Sequence, residues 1–540
     1  MAKPGGVSIL LACLLSAASF AQGPPRKGLV YQPGSGFFWD PSVICSAGKY
    51  YMYSMYGGDS IWLATSSDGV HWSDYGVVLK SQGFKSNRVW KPYITRVGDR
   101  FIMNHGAFTD QNTNNNLLRF YESTDLLHWK YLYEIPIDPK FYRTDGRWDH
   151  MFTIPRNADK PADGYLGYFV ADPIDHGGFG MMESPDGVHF KPIKAPEILA
   201  DFRIPTLEVG GIKKIGDKYY LIGGNVNHYG FFGYGVYTYV ADSPTGPFRP
   251  DLDAYRLTGT SGIDGRYYVH VLSCFVKDSP ENLVSDPFTF GFGGNPETDG
   301  QGTWFLPMRK AIVDSNGHLR LAWWAGNDLL KGKETQVDTS QNLVLFPPGQ
   351  TAQNPIVTVD GAQGAVHVAT DKSWRPFPWL ESGKTRKAIV VLSQRFNLED
   401  GVIIEGHLRA KALLQSYGDR RKTYAGFFVE GLERGSGTGI LLEVGEPQWR
   451  ESLIGRIRTD VSFHFESLDA TGRGCATVTG IDEGRDHTFR LWLRSGQMEL
   501  YIDDLLMQSF FYLKATGRIG FMSQESDVTF SDLRFYSMNL

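Results

Sequence analysis

A short polar motif closed by an aromatic ring recurs along the first half of the chain, and it limits the available folds more than any other feature. It reads Ser66-Ser67-Asp68-Gly69-Val70-His71-Trp72, Ser123-Thr124-Asp125-Leu126-Leu127-His128-Trp129, Ser184-Pro185-Asp186-Gly187-Val188-His189-Phe190 and Ser243-Pro244-Thr245-Gly246-Pro247-Phe248. The copies stand roughly 60 residues apart, the length of one four-stranded propeller blade with generous loops. Each follows a strand-like run, and its ring can pack beneath the turn. A glycine turn leading into an aromatic strand alternates with this motif. It occurs at Gly48-Lys49-Tyr50-Tyr51, Gly98-Asp99-Arg100-Phe101, Gly164-Tyr165-Leu166-Gly167, Gly216-Asp217-Lys218-Tyr219 and Gly317-His318-Leu319-Arg320. Five such turns, short even strands and almost no helical period predict an all-β protein in which residues 28–370 form a five-bladed β-propeller. A large β-sandwich with coincidental turns is the competing fold.

At 540 residues the chain is too long for one ordinary domain. Residues 371–388, rich in Lys, Arg, Pro and Trp without periodicity, read as a linker. Beyond them, Phe489-Arg490-Leu491-Trp492-Leu493-Arg494 turns at Ser495-Gly496 into Met498-Glu499-Leu500-Tyr501-Ile502, and 389–540 reads as a concanavalin-like β-sandwich. A formal net charge of −5 supplies no basic field for nucleic acid or an anionic membrane. At the start, Lys3, an apolar run over 7–18 and Ser19-Phe20-Ala21 read as a signal peptide cleaved after residue 21, which predicts a secreted or periplasmic protein. A retained anchor is the alternative. Removing that segment leaves Cys45, Cys274 and Cys475, enough for one disulfide at most and without a Cys-x-x-Cys pair for zinc.

Aligning the blades on the glycine turn brings out the chemistry. Asp40 lies eight residues before Gly48, and Glu208 eight before Gly216. Asp149 holds the matching place in blade 3 ahead of a longer hairpin, while blade 2 carries Trp90-Lys91 there. Innermost propeller strands run parallel along the channel, so Asp40, Asp149 and Glu208 are expected to meet on one face. Repulsion among three carboxylates pushes their pKa values apart. Cleaving a glycosidic bond uses that division: a protonated carboxyl donates to the leaving oxygen and an ionised one attacks or activates water. Trp39 is expected to stack on a sugar, and Lys91, His105, Arg147 and Asn225 to hydrogen-bond it; packing and ion-pair roles compete at each. Asn104 is a further candidate. No cofactor is expected, although a structural calcium ion held by the three acids is an alternative use of them. Dinucleotide, P-loop, zinc-protease and Gly-x-Ser-x-Gly patterns are absent from the sequence.

Phe38-Trp39-Asp40-Pro41-Ser42-Val43, followed by Gly48-Lys49-Tyr50-Tyr51-Met52-Tyr53 and the first polar motif, resembles the first blade of glycoside hydrolase families 32 and 43. Arg147-Trp148-Asp149 is similar to the Arg-Asp-Pro element of family 32 with a tryptophan inserted, and Glu208 stands where the acid/base glutamate belongs. The form Asp40-Pro41-Ser42-Val43 looks more like family 43, whereas the appended sandwich is the usual companion in family 32. The resemblance implies a glycosidase acting on oligo- or polysaccharide, first a retaining β-fructofuranosidase with Asp40 as nucleophile. An inverting α-L-arabinofuranosidase or β-xylosidase, with Asp40 as general base, is the second reading. In both, Glu208 is the general acid and Asp149 orients substrate and stabilises the transition state. A non-catalytic carbohydrate-binding propeller is the reading outside enzymes.

Overall fold

The computed structural model describes residues 30–33, 39–84, 87–107, 116–157, 160–226, 234–260, 269–270, 272–285, 287–290, 302–346, 357–360, 364–369, 387–413, 423–433, 435–445, 452–458, 464–467, 480–512 and 514–540. The expected signal segment, Cys475 and most of the expected linker lie outside the described residues. Cys45 and Cys274 are buried and free.

Four antiparallel sheets of like order follow one another. Blade 1 is Trp39–Ser46, Lys49–Tyr56, Ser60–Ser66 and Ser73–Lys80; blade 2 is Tyr93–Val97, Arg100–Ala107, Leu117–Ser123 and Lys130–Pro136. Blade 3 is Trp148–Pro155, Tyr165–Ala171, Gly180–Ser184 and Lys191–Ile193; blade 4 is Glu208–Ile215, Lys218–Val226, Tyr234–Ala241 and Arg249–Pro250. Blade 5 runs Cys274–Phe275, Leu283–Ser285, Arg309–Val313 and Leu319–Trp323. The first strands of successive blades touch in cyclic order, and blade 5 returns to blade 1. That closure is hydrogen-bonded: Cys45 N–H donates to Lys277 O, and Lys277 N–H to Val43 O, each at 2.9 Å.

The polar motif explains why the blades stack. In the first copy Ser66 Oγ accepts from Gly69 N–H at 2.8 Å, and Asp68 Oδ1 accepts from Val70 and His71 N–H at 2.8 Å each. His71 Nδ1 closes the knot on Asp68 Oδ2 at 2.8 Å, and the copies at Asp125 and Asp186 repeat the pattern. Such local bonding satisfies the backbone of a tight turn without help from neighbours. The ring that ends each copy then packs on the preceding blade. Trp129 lies 5.9 Å from Tyr53, Phe190 5.9 Å from Phe120 and Phe248 5.5 Å from Phe179. Trp72 packs 5.2 Å from Phe305, on the chain leading into the third strand of blade 5.

Two expectations are corrected. In blades 1 to 4 the glycine turn opens the second strand, but Leu319–Trp323 after Gly317 is the outermost strand of blade 5. Its position follows from its partner: Ala322 pairs with Leu505, and the sheet continues through Leu505–Phe511, Gln497–Ile502, Asp486–Arg494, Val402–Ala412 and Ser526–Met538 into the C-terminal domain. The boundary also falls earlier than 371. Val357–Asp360 and Ala365–Ala369 belong to this sheet, and Asn342–Phe346 pairs with Lys387–Leu392 in the facing sheet of the sandwich. Alternation in these strands serves a sandwich as well as a propeller, so periodicity does not separate them.

Candidate active site

The three acids sit at equivalent places. Asp40 is the second residue of Trp39–Ser46, Asp149 the second of Trp148–Pro155 and Glu208 the first of Glu208–Ile215. Each of these strands carries a β-bulge beside its acid. Register shifts between Trp39 and Ser42, around His150, and between Val209 and Gly211. The first strand of blade 2, Tyr93–Val97, pairs without a shift and carries no acid. A bulge bends the strand and re-aims the adjoining side chain, a device that the inner strands of blades 2 and 5 lack. Asp40 adds a positive φ of 47°, a conformation uncommon for a residue with a Cβ.

Arg147 immediately precedes the Trp148–Pro155 strand, two residues before Asp149, and its guanidinium spans Asp149 and Glu208. Its Nη2 donates to Asp149 Oδ2 at 3.0 Å and its Nη1 pairs with Glu208 Oε1. The tryptophan between them turns to the core. Trp148 is fully buried, lies 4.5 Å from Phe169, and donates from Nε1 to Ile135 O at 3.1 Å. Asp149 also accepts the His150 N–H at 2.8 Å and rests on Gly106, where a Cβ would come within 1.9 Å of its Oδ1. Burial first, then Cys274 and after it the Asp40 charge, drive the Tyr93 hydroxyl well above its usual pKa. The Tyr93 ring lies 5.5 Å from that of His150.

The charge state differs from the expected one. Burial works to raise the Glu208 carboxyl, but the Arg147 guanidinium and His150 outweigh it and hold Glu208 below the usual glutamate value. Burial opposes ionisation of Asp149 too, yet His150 and Arg147 hold it well below the aspartate range. Mutual repulsion does not keep Glu208 protonated, because a cation stands between the two carboxylates. Among the described residues, no group of three or more His, Cys, Asp or Glu is placed to hold a metal ion.

Of the residues expected to bind sugar, Arg147 is joined directly to Asp149 and Glu208. The Trp39 side chain lies outside the described residues. Lys91 does not face the mouth: it is fully buried, with Nζ donating to Cys274 Sγ at 2.9 Å. His105 is likewise sealed, stacked 5.5 Å from Tyr121, and burial lowers its pKa to about 4. Lys91 lies just before Tyr93–Val97, and His105 belongs to Arg100–Ala107, which is buried on both faces from Phe101 onward. Asn225 gives its amide to Thr206 O at 2.5 Å, and Asn104 clamps Met151 through O and N at 2.8 Å each, so both tie strands together. Two residues escaped the sequence reading: His150, buried beside Asp149, and Asp172, which accepts the Arg147 N–H at 2.7 Å. Asp172-Pro173 repeats the Asp-Pro of Asp40-Pro41 and was the available signal.

No protein-family model and no curated protein sequence matches the chain. Solved structures do. Sucrose-6-phosphate hydrolase from Lactobacillus gasseri aligns with a TM-score of 0.62 at 12% identity, covering 95% of this chain and 93% of that one. A family-32 β-fructofuranosidase from Bombyx mori aligns at 0.60 and 12% identity, over 95% and 94%. Fructan 1-exohydrolase IIa from Cichorium intybus gives 0.58 and 12%, over 94% and 97%. Across nearly its whole length, then, the chain has the propeller-and-sandwich fold of family-32 glycoside hydrolases.

Proposed function

We propose that the protein is an exported glycoside hydrolase that releases terminal furanosyl residues, β-fructofuranosides first, from oligo- or polysaccharides with retention. One observation carries the reading: three acids, each beside its own bulge at the start of an inner strand, occur in a fold shared with β-fructofuranosidases. Asp40 is the nucleophile, Glu208 the acid and then the base, and Asp149 stabilises the oxocarbenium-like transition state. The ion pair sets the order of events. Arg147 keeps Glu208 ionised while the site is open; sugar hydroxyls that draw the guanidinium away leave burial, the largest influence on Glu208, to raise its pKa and load the proton. The acid is thus armed by substrate.

The test is product release by the mature protein from a panel of fructosides, arabinofuranosides and xylosides, with Asp40→Asn and Glu208→Gln as controls. Release of fructose, abolished in both variants while Glu208→Gln still binds sugar, is the expected result. The anomer first released reports retention directly. Activity that survives Glu208→Gln overturns the acid assignment. Binding of glycan without turnover on any member overturns the enzyme reading.

A further inference from the structure

A fourth carboxylate, Asp172, stands at the same end of the propeller and takes no part in the chemistry above. It follows the second strand of blade 3, Tyr165–Ala171, whose last residue pairs with Trp148 at the start of the Asp149 strand. Asp172 Oδ2 accepts the Arg147 N–H at 2.7 Å, and Oδ1 accepts the Thr206 hydroxyl. Arg147 is two residues before Asp149, and Thr206 is two before Glu208. One carboxylate therefore binds the residues that lead into the Asp149 and Glu208 strands, at the same remove from each of these two acids.

The tie is anchored on every side. Asp172 O accepts from Arg143 N–H at 2.9 Å, and Thr206 O accepts from Asn225 at 2.5 Å. Beyond Asp172 the loop is laced to the blade-4 side: Gly178 N–H donates to Pro205 O at 3.1 Å and Leu207 N–H to Gly178 O at 2.8 Å. Two glycines make room for it. A Cβ on Gly146 would lie 2.5 Å from Asp172 Oδ2, and one on Gly177 would lie 1.6 Å from Ile204 O.

We propose that Asp172 is a positioning residue. By accepting from Arg147 and Thr206 together it sets where Glu208 stands relative to Asp149, and it aims the guanidinium between them. The proposal rests on the glycosidase reading of those acids. Its leverage comes from geometry, since reacting groups displaced by about 1 Å lose about 10²-fold in rate, and supporting hydrogen bonds are what hold them in place.

The test uses the full mature chain with Asp172→Asn, Thr206→Val, the double variant and Thr206→Ser. Two quantities are read: kcat and KM on the glycoside the wild type cleaves, and the titration of the Glu208 carboxyl followed by ¹³C NMR. Asp172→Asn and Thr206→Val should each lower kcat about 10- to 100-fold with little change in KM. The double variant should be no worse than the poorer single, because both act through one tie. Thr206→Ser, which keeps the hydroxyl, should restore kcat, and Glu208 should titrate at higher pH in the impaired variants. Wild-type kcat and wild-type Glu208 titration in Asp172→Asn and Thr206→Val would overturn the proposal. So would losses confined to thermal stability. If the wild type cleaves no glycoside, the glycosidase reading fails, and the Glu208 titration alone decides whether the tie exists.

Discussion

Arg147 decides the electrostatics of the site, and its effect has a sign that can be checked. Arg147→Gln removes the cation that opposes burial at Glu208, so the Glu208 carboxyl should take up its proton at higher pH than in the wild type. The matching limb of the pH dependence of kcat/KM should move upward, and kcat/KM should fall as Arg147's contact with substrate is lost. An unmoved limb would show that Arg147 does not control the acid. Asp40 was legible from its spacing to Gly48, and Glu208 from the same spacing to Gly216. The Arg147 bridge was not, because a two-residue spacing places Arg147 near Asp149 but does not show that Glu208 of another blade meets them.

The turn motif makes its own predictions at the level of the element. Gly69 holds φ at 78°, and a Cβ there would lie 2.5 Å from Met308 Cε and 2.9 Å from Trp324 Cη2. Gly69→Ala should cost about 2–3 kcal/mol, combining strain with overpacking. Gly83→Ala, at a φ of 80° with nothing within 4 Å, should cost only about 1 kcal/mol of strain; chemical denaturation of the two variants checks the difference. The turn aspartates also tie stability to pH. Burial opposes ionisation of Asp68, but the His71 side chain and the His71 and Val70 N–H groups pull its pKa down to about 2, and Asp125 and Asp186 are lowered in the same way. Their folded values lie below the unfolded value of about 3.9. The stability they contribute is therefore present above about pH 4 and lost as the pH falls through about 2. Melting temperature measured from pH 6 down to 2 should drop across that window, and the drop should shrink in Asp68→Asn.

At the scale of the molecule the propeller and sandwich share a sheet and a buried ion pair. The fully buried Arg309 of blade 5 pairs with Glu499 of the sandwich, whose carboxylate also accepts from Ser509 Oγ at 2.9 Å and Tyr501 OH at 2.7 Å. Nearby, Trp323 meets Tyr501 edge-on at 5.1 Å, and Arg490 lies 4.2 Å over the Trp323 ring. Arg309→Met leaves a buried, uncompensated carboxylate and should destabilise the whole chain by about 3–5 kcal/mol. Adding Glu499→Leu should recover most of that loss, since an apolar pair of similar volume does not need the charge. A double variant no more stable than Arg309→Met would show that the contact works through shape and not charge. The sandwich was legible as a domain from its alternating strands. Its fusion to blade 5 was not, because a strand pairing between residues far apart in sequence leaves no local pattern.

The order of the residues by itself made legible the repeat of blades 1 to 4, the polar turns closed by a ring and the equivalent placing of the three acids, since these follow from local periodicity and spacing. Only the tertiary structure decided that Arg147 separates Asp149 from Glu208, that Lys91 and His105 face the core, that Asp172 ties two blades, and that the last strand of blade 5 belongs to a sheet shared with the sandwich. Each of these depends on which groups from distant segments come within a few ångströms of one another. That is set by the closure of the ring and the packing of its blades, and no spacing along the chain records it.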